Sequence, residues 1–199
     1  MRMGRGVPVP PRLGVRAVET ALGAHLTHGF CVDHVYVEGG AVAMSIAIRR
    51  YTPNDLAGLI ALFRDTVRRI NRRDYSQQQV MAWAPDEIDA RKWMHRFDDK
   101  SVWVAELDGA PVGFVDVARD GLIDMLYVHA DHQGEGIASR LLRTVEASAR
   151  TRGLLRLFTE ASITARPFFE HRGFRVIAAQ RVRRLAQEFL NYRMDKQLG

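Results

Sequence analysis

Cysteine is almost missing from this chain: Cys31 stands alone among 199 residues, so no internal disulfide can form and the fold needs no oxidising compartment. No apolar run approaches the roughly 18 residues that a membrane helix requires, and the N-terminal arginines lead into GVPVPPRLG rather than the apolar core of a signal peptide. A cytoplasmic chain with no membrane partner is expected. The Gly-Lys-Ser/Thr ending of a Walker loop is lacking, which argues against nucleoside triphosphate hydrolysis. The net charge of +6 fits an anionic partner, yet no helix-turn-helix, zinc finger or aromatic RNA-binding motif accompanies it, so no specific nucleic acid is expected. Arginines such as Arg49, Arg68, Arg72 and Arg181 are dispersed among acids, as on a solvated surface.

What is present suits one globular domain with an appended segment: 47% of residues are hydrophobic and 26% charged. Residues 1–43 are rich in Gly, Pro and Arg at their start and show no sustained period. They are read as an N-terminal extension, poorly ordered or not native, with Met44 a candidate start and the domain at 44–199. His25, His28, Cys31 and His34 in that extension are zinc-competent ligand types. Four ligands this close together would have trouble reaching one ion from a continuous helix, Gly29 interrupts it, and no metal is assigned.

From Ile46 the pattern reads as a strand at 46–50, then a helical region at 55–97 broken near NRRDYS and WAPDE. SVWVAEL, PVGFVDVA and LIDMLYV follow as an antiparallel meander joined by DGA and ARDG. A helix at 136–152, a short strand in LLRLFTE, a helix near 165–172 and two strands, FRVIAAQRV and EFLNYRM, complete the chain. Asn54 or Asp55 is suited to open the first helix, and Ser162 or Thr164 to cap the one that starts near Pro167.

The segment HADHQGEGIASRLL places Gly134 and Gly136 just before an amphipathic helix. Glycines take positive φ cheaply, successive amides in such a turn form an anion-binding nest, and a helix N-terminus adds free N–H groups and a positive dipole end. A phosphate loop and a mere tight turn both fit that spacing. Ser139 occupies the third glycine position of a dinucleotide fingerprint, and the preceding strand closes an antiparallel meander, so a Rossmann unit does not fit.

QGEGIA resembles the Q/R-x-x-G-x-G/A signature of the GNAT superfamily of N-acetyltransferases. LYVHADHQGEGIASRLL is similar to that family's fourth strand, loop and third helix, EASITARPFFEHRGF to its later helix motif, and LNYRMDKQL to its usual ending. The resemblance covers about Ile46 to Leu198. It implies an α+β GNAT (acyl-CoA N-acyltransferase) fold: a mixed, mostly antiparallel sheet flanked by helices in α/β/α layers and splayed to admit acetyl-CoA. It further implies that the backbones of Leu126, Tyr127 and Val128 pair with the pantetheine arm. Gln133, Gly134, Glu135, Gly136, Ile137, Ala138 and Ser139 would surround the pyrophosphate, with Arg140 lending charge and Ser162 touching the coenzyme.

Acetyl transfer to an amine needs a neutral nucleophile, a polarised thioester carbonyl and a proton for the departing thiolate. The resemblance points to the N–H of Leu126 or Val128 for the carbonyl. Asp124 is the candidate base, on the face of Leu126 and Val128 under simple alternation and tuned by burial. A buried carboxylate satisfied by an amide or an arginine is the other reading of it. Glu160 is a weaker candidate. The position where many members carry a tyrosine near the sulfur is Phe169, which has no hydroxyl, so Tyr192 or water becomes the candidate acid, or the thiolate leaves unaided. Trp83, Trp93 and Trp103 read either as pocket lining or as core. The expected reaction is direct transfer in a ternary complex to an amine of a small molecule or protein, and a homodimer is compatible with the family. The alternative is a non-catalytic acetyl-CoA-binding regulatory module.

Overall fold

The computed structural model describes residues 45–199. The extension 1–43, Met44 and the His25, His28, Cys31 and His34 group lie outside the described residues. Among the described residues seven strands form one sheet: β1 (Ala47–Arg50), β2 (Lys100–Leu107), β3 (Ala110–Ala118), β4 (Leu122–Val128), β5 (Arg156–Ser162), β6 (Arg175–Arg184) and β7 (Gln187–Gln197), in the order β1-β2-β3-β4-β5-β7-β6. Every neighbouring pair is antiparallel except β4 with β5. The β2–β3 turn holds Asp108 and Gly109 at φ 50 and 80, the left-handed pair that a tight hairpin needs.

Among the described residues five α-helices cover the sheet: α1 (Leu56–Ile70), α2 (Gln77–Trp83) and α3 (Ala90–His95) on one face, α4 (Ile137–Thr151) and α5 (Arg166–His171) on the other. In α1 the buried Leu59, Leu62, Phe63, Thr66, Val67 and Ile70 recur at three- and four-residue steps, and they pack on Val104, Phe114 and Tyr127. In α4 Ile137, Leu141, Leu142 and Val145 make the matching stripe against Val115, Ile123 and Leu126. A one-turn 3-10 helix (Pro53–Asp55) precedes α1, and the Asp55 carboxylate accepts from Thr52 N at 2.7 Å. Ser162 Oγ accepts from Ala165 N at 3.1 Å at the start of α5, whereas the Thr164 hydroxyl bonds Asp74. Among the described residues no helix is long and apolar enough to cross a membrane.

Two departures from regular pairing position the site. β4 pairs with β5 only through Leu122↔Phe158 and Ile123↔Thr159, while β5 runs on to Ser162 beside β7; past Ile123 the two parallel strands separate. In the β3–β4 ladder Asp116↔Met125 is followed by Val117↔Ile123, leaving Asp124 as the extra residue of a β-bulge. The first turn of α4 sits over β3 at Gly113, where a Cβ would meet Ile137 Cγ2 at 2.9 Å, Tyr127 O at 3.1 Å and Leu141 Cδ1 at 3.2 Å. That close approach brings the N-terminus of α4 to the end of β4.

Candidate active site

Along β4 the ladder to β3 fixes which backbone groups remain. His129 N donates to Val112 O at 2.8 Å, so by the two-residue period Tyr127 also bonds toward β3, and Leu126 and Val128 point their N–H and C=O toward the gap. This corrects the expectation that all three residues offer backbone to a ligand: the Tyr127 carbonyl lies against Gly113 of β3. The Val128 carbonyl is already taken, by Thr66 Oγ1 at 2.9 Å and Gln133 Nε2 at 2.7 Å. The Val128 N–H and both groups of Leu126 are the edge that β5 no longer covers.

The loop after β4 turns on two glycines, Gly134 at φ 85 and Gly136 at φ 75, and Gly136 is the N-cap of α4 with no side-chain cap. Helical bonding begins with Arg140 N to Gly136 O at 3.0 Å, so the amides of Gly136, Ile137 and Ala138 precede the first helical bond. Side chains here brace the loop. Gln133 folds back onto the carbonyls of Val128 and His129, Glu135 pairs with His132 at 3.1 Å, and Ile137, Ala138 and Ser139 are buried. Arg140 lies outside, with Nη1 3.3 Å from the Ile46 carbonyl. From the end of α5 the Arg172 guanidinium bonds the Ser139 hydroxyl, so a second cation stands at the first turn of α4.

The bulge overturns the simple alternation assumed for Asp124. Its side chain does not share the face of Leu126 and Val128; it opens on the face of Met125 and Tyr127. There it contacts Lys100 Nζ and lies 3.1 Å from Arg96 Nη2. Lys100 also bonds Asp116 Oδ2 at 2.9 Å, and Asp116 Oδ1 accepts from the amides of Asp124 (3.1 Å) and Met125 (2.9 Å), pinning the bulge. Burial by itself would raise the Asp124 carboxyl, but the charges of Lys100 and Arg96 outweigh it and hold the group below its ordinary range. This contradicts the expected burial-tuned base and matches the alternative, an ion-paired buried carboxylate. Asp116 is the raised member, pushed up to about 6 by complete burial and by the Asp124 charge, against the pull of Lys100.

On the opposite face Phe169 is fully enclosed, 5.2 Å from Phe168 and 4.9 Å from Phe174 between ring centroids. Tyr192, on β7 across from Ala161, is half-buried against the same core with the Arg166 guanidinium 4.6 Å over its ring. Glu160 lies across from Arg193. Ser162 is buried at the end of β5. Asp124 and Tyr192 therefore stand on opposite faces of the sheet, with the β4–β5 gap between them. The Tyr75 hydroxyl, accepting from Ile163 N at 3.1 Å and donating to Leu190 O at 3.2 Å, ties the end of β5 to β7.

Under α1–α3 lies a cavity of about 540 Å³ whose floor is Met125 and Tyr127 and whose walls include Phe63, Trp83 and Trp93. Trp83 and Trp93 are thus both core and lining. Trp103 is on the other face, with Arg50 stacked 4.4 Å from its ring centroid.

An open strand edge meeting a helix N-terminus behind two left-handed glycines is the arrangement that the sequence resemblance implied. The family described as acetyltransferase (GNAT) domain matches residues 71–196. The chain belongs to this GNAT family. The Uncharacterized N-acetyltransferase YafP of Escherichia coli (strain K12) is 38% identical over 150 residues, 75% of this chain and 95% of that one. A solved GCN5-related N-acetyltransferase (Aminotransferase, Class-II) from Rhodopseudomonas palustris superposes with a TM-score of 0.74 at 34% identity, covering 79% of this chain and 99% of the other. The PaiA N-acetyltransferase of Thermoplasma acidophilum, solved with coenzyme A, shares the fold with a TM-score of 0.65 at 20% identity, over 77% and 99% of the two chains.

Several residues of this GNAT domain escaped the sequence reading. Asp116 between Val115 and Val117, and Lys100 before SVWV, are charges at positions facing the core, which is the signal that could have paired them. Arg96, Arg172 and Arg184 carry no such signal. Among the described residues no cluster of three or more His, Cys, Asp or Glu side chains is placed to hold a metal.

Proposed function

We propose that the protein transfers the acetyl group of acetyl-CoA directly to an amine within a ternary complex. The observation that carries this reading is the convergence of the uncovered β4 edge with the amides of Gly136, Ile137 and Ala138. Successive amides behind positive-φ residues attract a pyrophosphate, and the Arg140 and Arg172 guanidinia add positive charge at the same end. Glycine serves there for its backbone, since a Cβ on either Gly134 or Gly136 would meet nothing within 4 Å. The pantetheine arm then lies along Leu126 and Val128 as an added strand, in the gap that Ser162 borders and over the core that encloses Phe169.

The amine enters from the α1–α3 face across Met125 and Tyr127. Its nitrogen attacks the thioester carbonyl carbon, the carbon–sulfur bond breaks, and the products are an acetylated amine and a free thiol. The Leu126 or Val128 N–H meets the charge developing on the carbonyl oxygen. The amine proton leaves to solvent water; the Asp124 carboxylate, ion-paired with Lys100 and Arg96 and held low, is no acceptor for it, so the amine reacts when it arrives neutral. Tyr192 donates to the departing thiolate from the other face.

Steady-state rates with both substrates varied test this reading. Intersecting lines are expected, with kcat/KM for the amine rising with pH until the acceptor's own amine is neutral. Parallel lines would contradict direct transfer, and acetyl-CoA binding without thiol release for any amine would fit a regulatory module instead.

A further inference from the structure

The cavity on the α1–α3 face carries a cation that no carboxylate among the described residues pairs with. Arg184, at the end of β6, lines it together with Arg96, Met125 and Tyr127. Among the described residues no carboxylate pairs with Arg184, and burial, with Arg96 nearby, disfavours its charged form. Arg96 has one nitrogen on Asp124. The acids that reach the cavity, Glu87 and Asp89, are exposed, and Asp89 is engaged in accepting the amides of Arg91 and Lys92 at the start of α3. The inner part is therefore positive and its walls aromatic. A half-buried guanidinium without a counter-ion is unfavourable, and its planar fork suits a carboxylate.

We propose that the acceptor is an amine that also carries a carboxylate on an apolar body of aromatic size, with Arg184 as the carboxylate's partner. This rests on the acetyltransferase reading. A volume of about 540 Å³ admits a small molecule of that kind, with the amine end toward the β4 edge and the body against Phe63, Trp83 and Trp93.

The test uses two matched pairs of acceptors: L-phenylalanine with its amide, and 4-(aminomethyl)phenylacetic acid with its amide. Thiol release is followed for the full chain and for Arg184→Gln and Arg184→Lys. Amine basicity differs within a pair but not between enzyme variants, so the change in the acid-to-amide ratio isolates Arg184. The expected result is a preference for the acid in at least one pair. That preference should fall about 10- to 100-fold in Arg184→Gln, the size of a lost charge-assisted hydrogen bond, and be partly retained in Arg184→Lys. Equal or better turnover of both amides, or an acid preference unchanged by Arg184→Gln, would overturn the substrate class while leaving acetyl transfer standing. No thiol release from any of the four, together with no stabilisation by acetyl-CoA, would overturn both.

Discussion

Replacing Gly136 with Asp should weaken acetyl-CoA binding by about two orders of magnitude or more, measured by calorimetric titration, while the unliganded protein keeps its unfolding temperature to within a few degrees. Gly136 is left-handed, at φ 75, and caps α4 without a side chain. Asp tolerates that conformation better than most residues and is itself a good N-cap, and a Cβ there clashes with nothing, so the fold should bear the change. The site should not. The new carboxylate would claim the amides proposed to hold phosphate and place a like charge beside it. A loss of about 2.8 kcal/mol corresponds to a hundredfold. Unchanged affinity would place the coenzyme elsewhere.

Lys100→Met should lower stability at about pH 7.5 by about 3–5 kcal/mol, the usual consequence of stripping one partner from a buried ion pair. Lys100 lies between Asp116 and Asp124, and both carboxylates are buried. Its removal leaves them facing each other with only Arg96 nearby. The sign of the pH dependence follows from the two carboxyls. In the intact protein Asp116, raised to about 6, favours folding while it is protonated, and that contribution is lost as pH rises from its ordinary value toward 6. Asp124, held low, contributes in the opposite sense: its stabilisation is present above its ordinary value and is lost as pH falls through the lowered one. Without Lys100 both carboxyls move up, so the folded variant should bind a proton that the unfolded chain has released. The deficit should therefore shrink as pH falls to about 5, in chemical unfolding followed at several pH values. A deficit independent of pH would assign the loss to packing of the lysine stem.

How much could be read in advance depended on whether the signal was local. The Gly134–Gly136 loop, the DGA turn and the helical periods of α1 and α4 are written in consecutive residues, and each element appears within a few positions of its expected bounds. The family resemblance implied a mixed sheet without saying which strands run parallel; the parallel step is β4 to β5, realised in two residue pairs. The bulge at Asp124 was not legible, because an extra residue in a ladder is a relation between β3 and β4. Strict alternation then put the Asp124 side chain on the wrong face. Its environment was equally hidden: Lys100, Asp116, Asp124 and Arg96 come from β2, β3, β4 and the end of α3, and only folding brings them together. Arg184 reaches the cavity from the β6–β7 hairpin, far from β4 in sequence. The enclosed ring of Phe169 explains why a missing hydroxyl does not disturb the fold, and it leaves Tyr192, under Arg166, as the candidate donor on that face.

Thermal unfolding in the presence of acetyl-CoA, coenzyme A and NAD tests the central claim most directly, that the β4 edge and the α4 N-terminus form a coenzyme A site. Both coenzyme A species at about a hundred times their dissociation constants should stabilise the protein by about 2.7 kcal/mol, a rise of several degrees, and NAD should not. A well-folded protein that none of the three stabilises, or one that NAD stabilises equally, would contradict it.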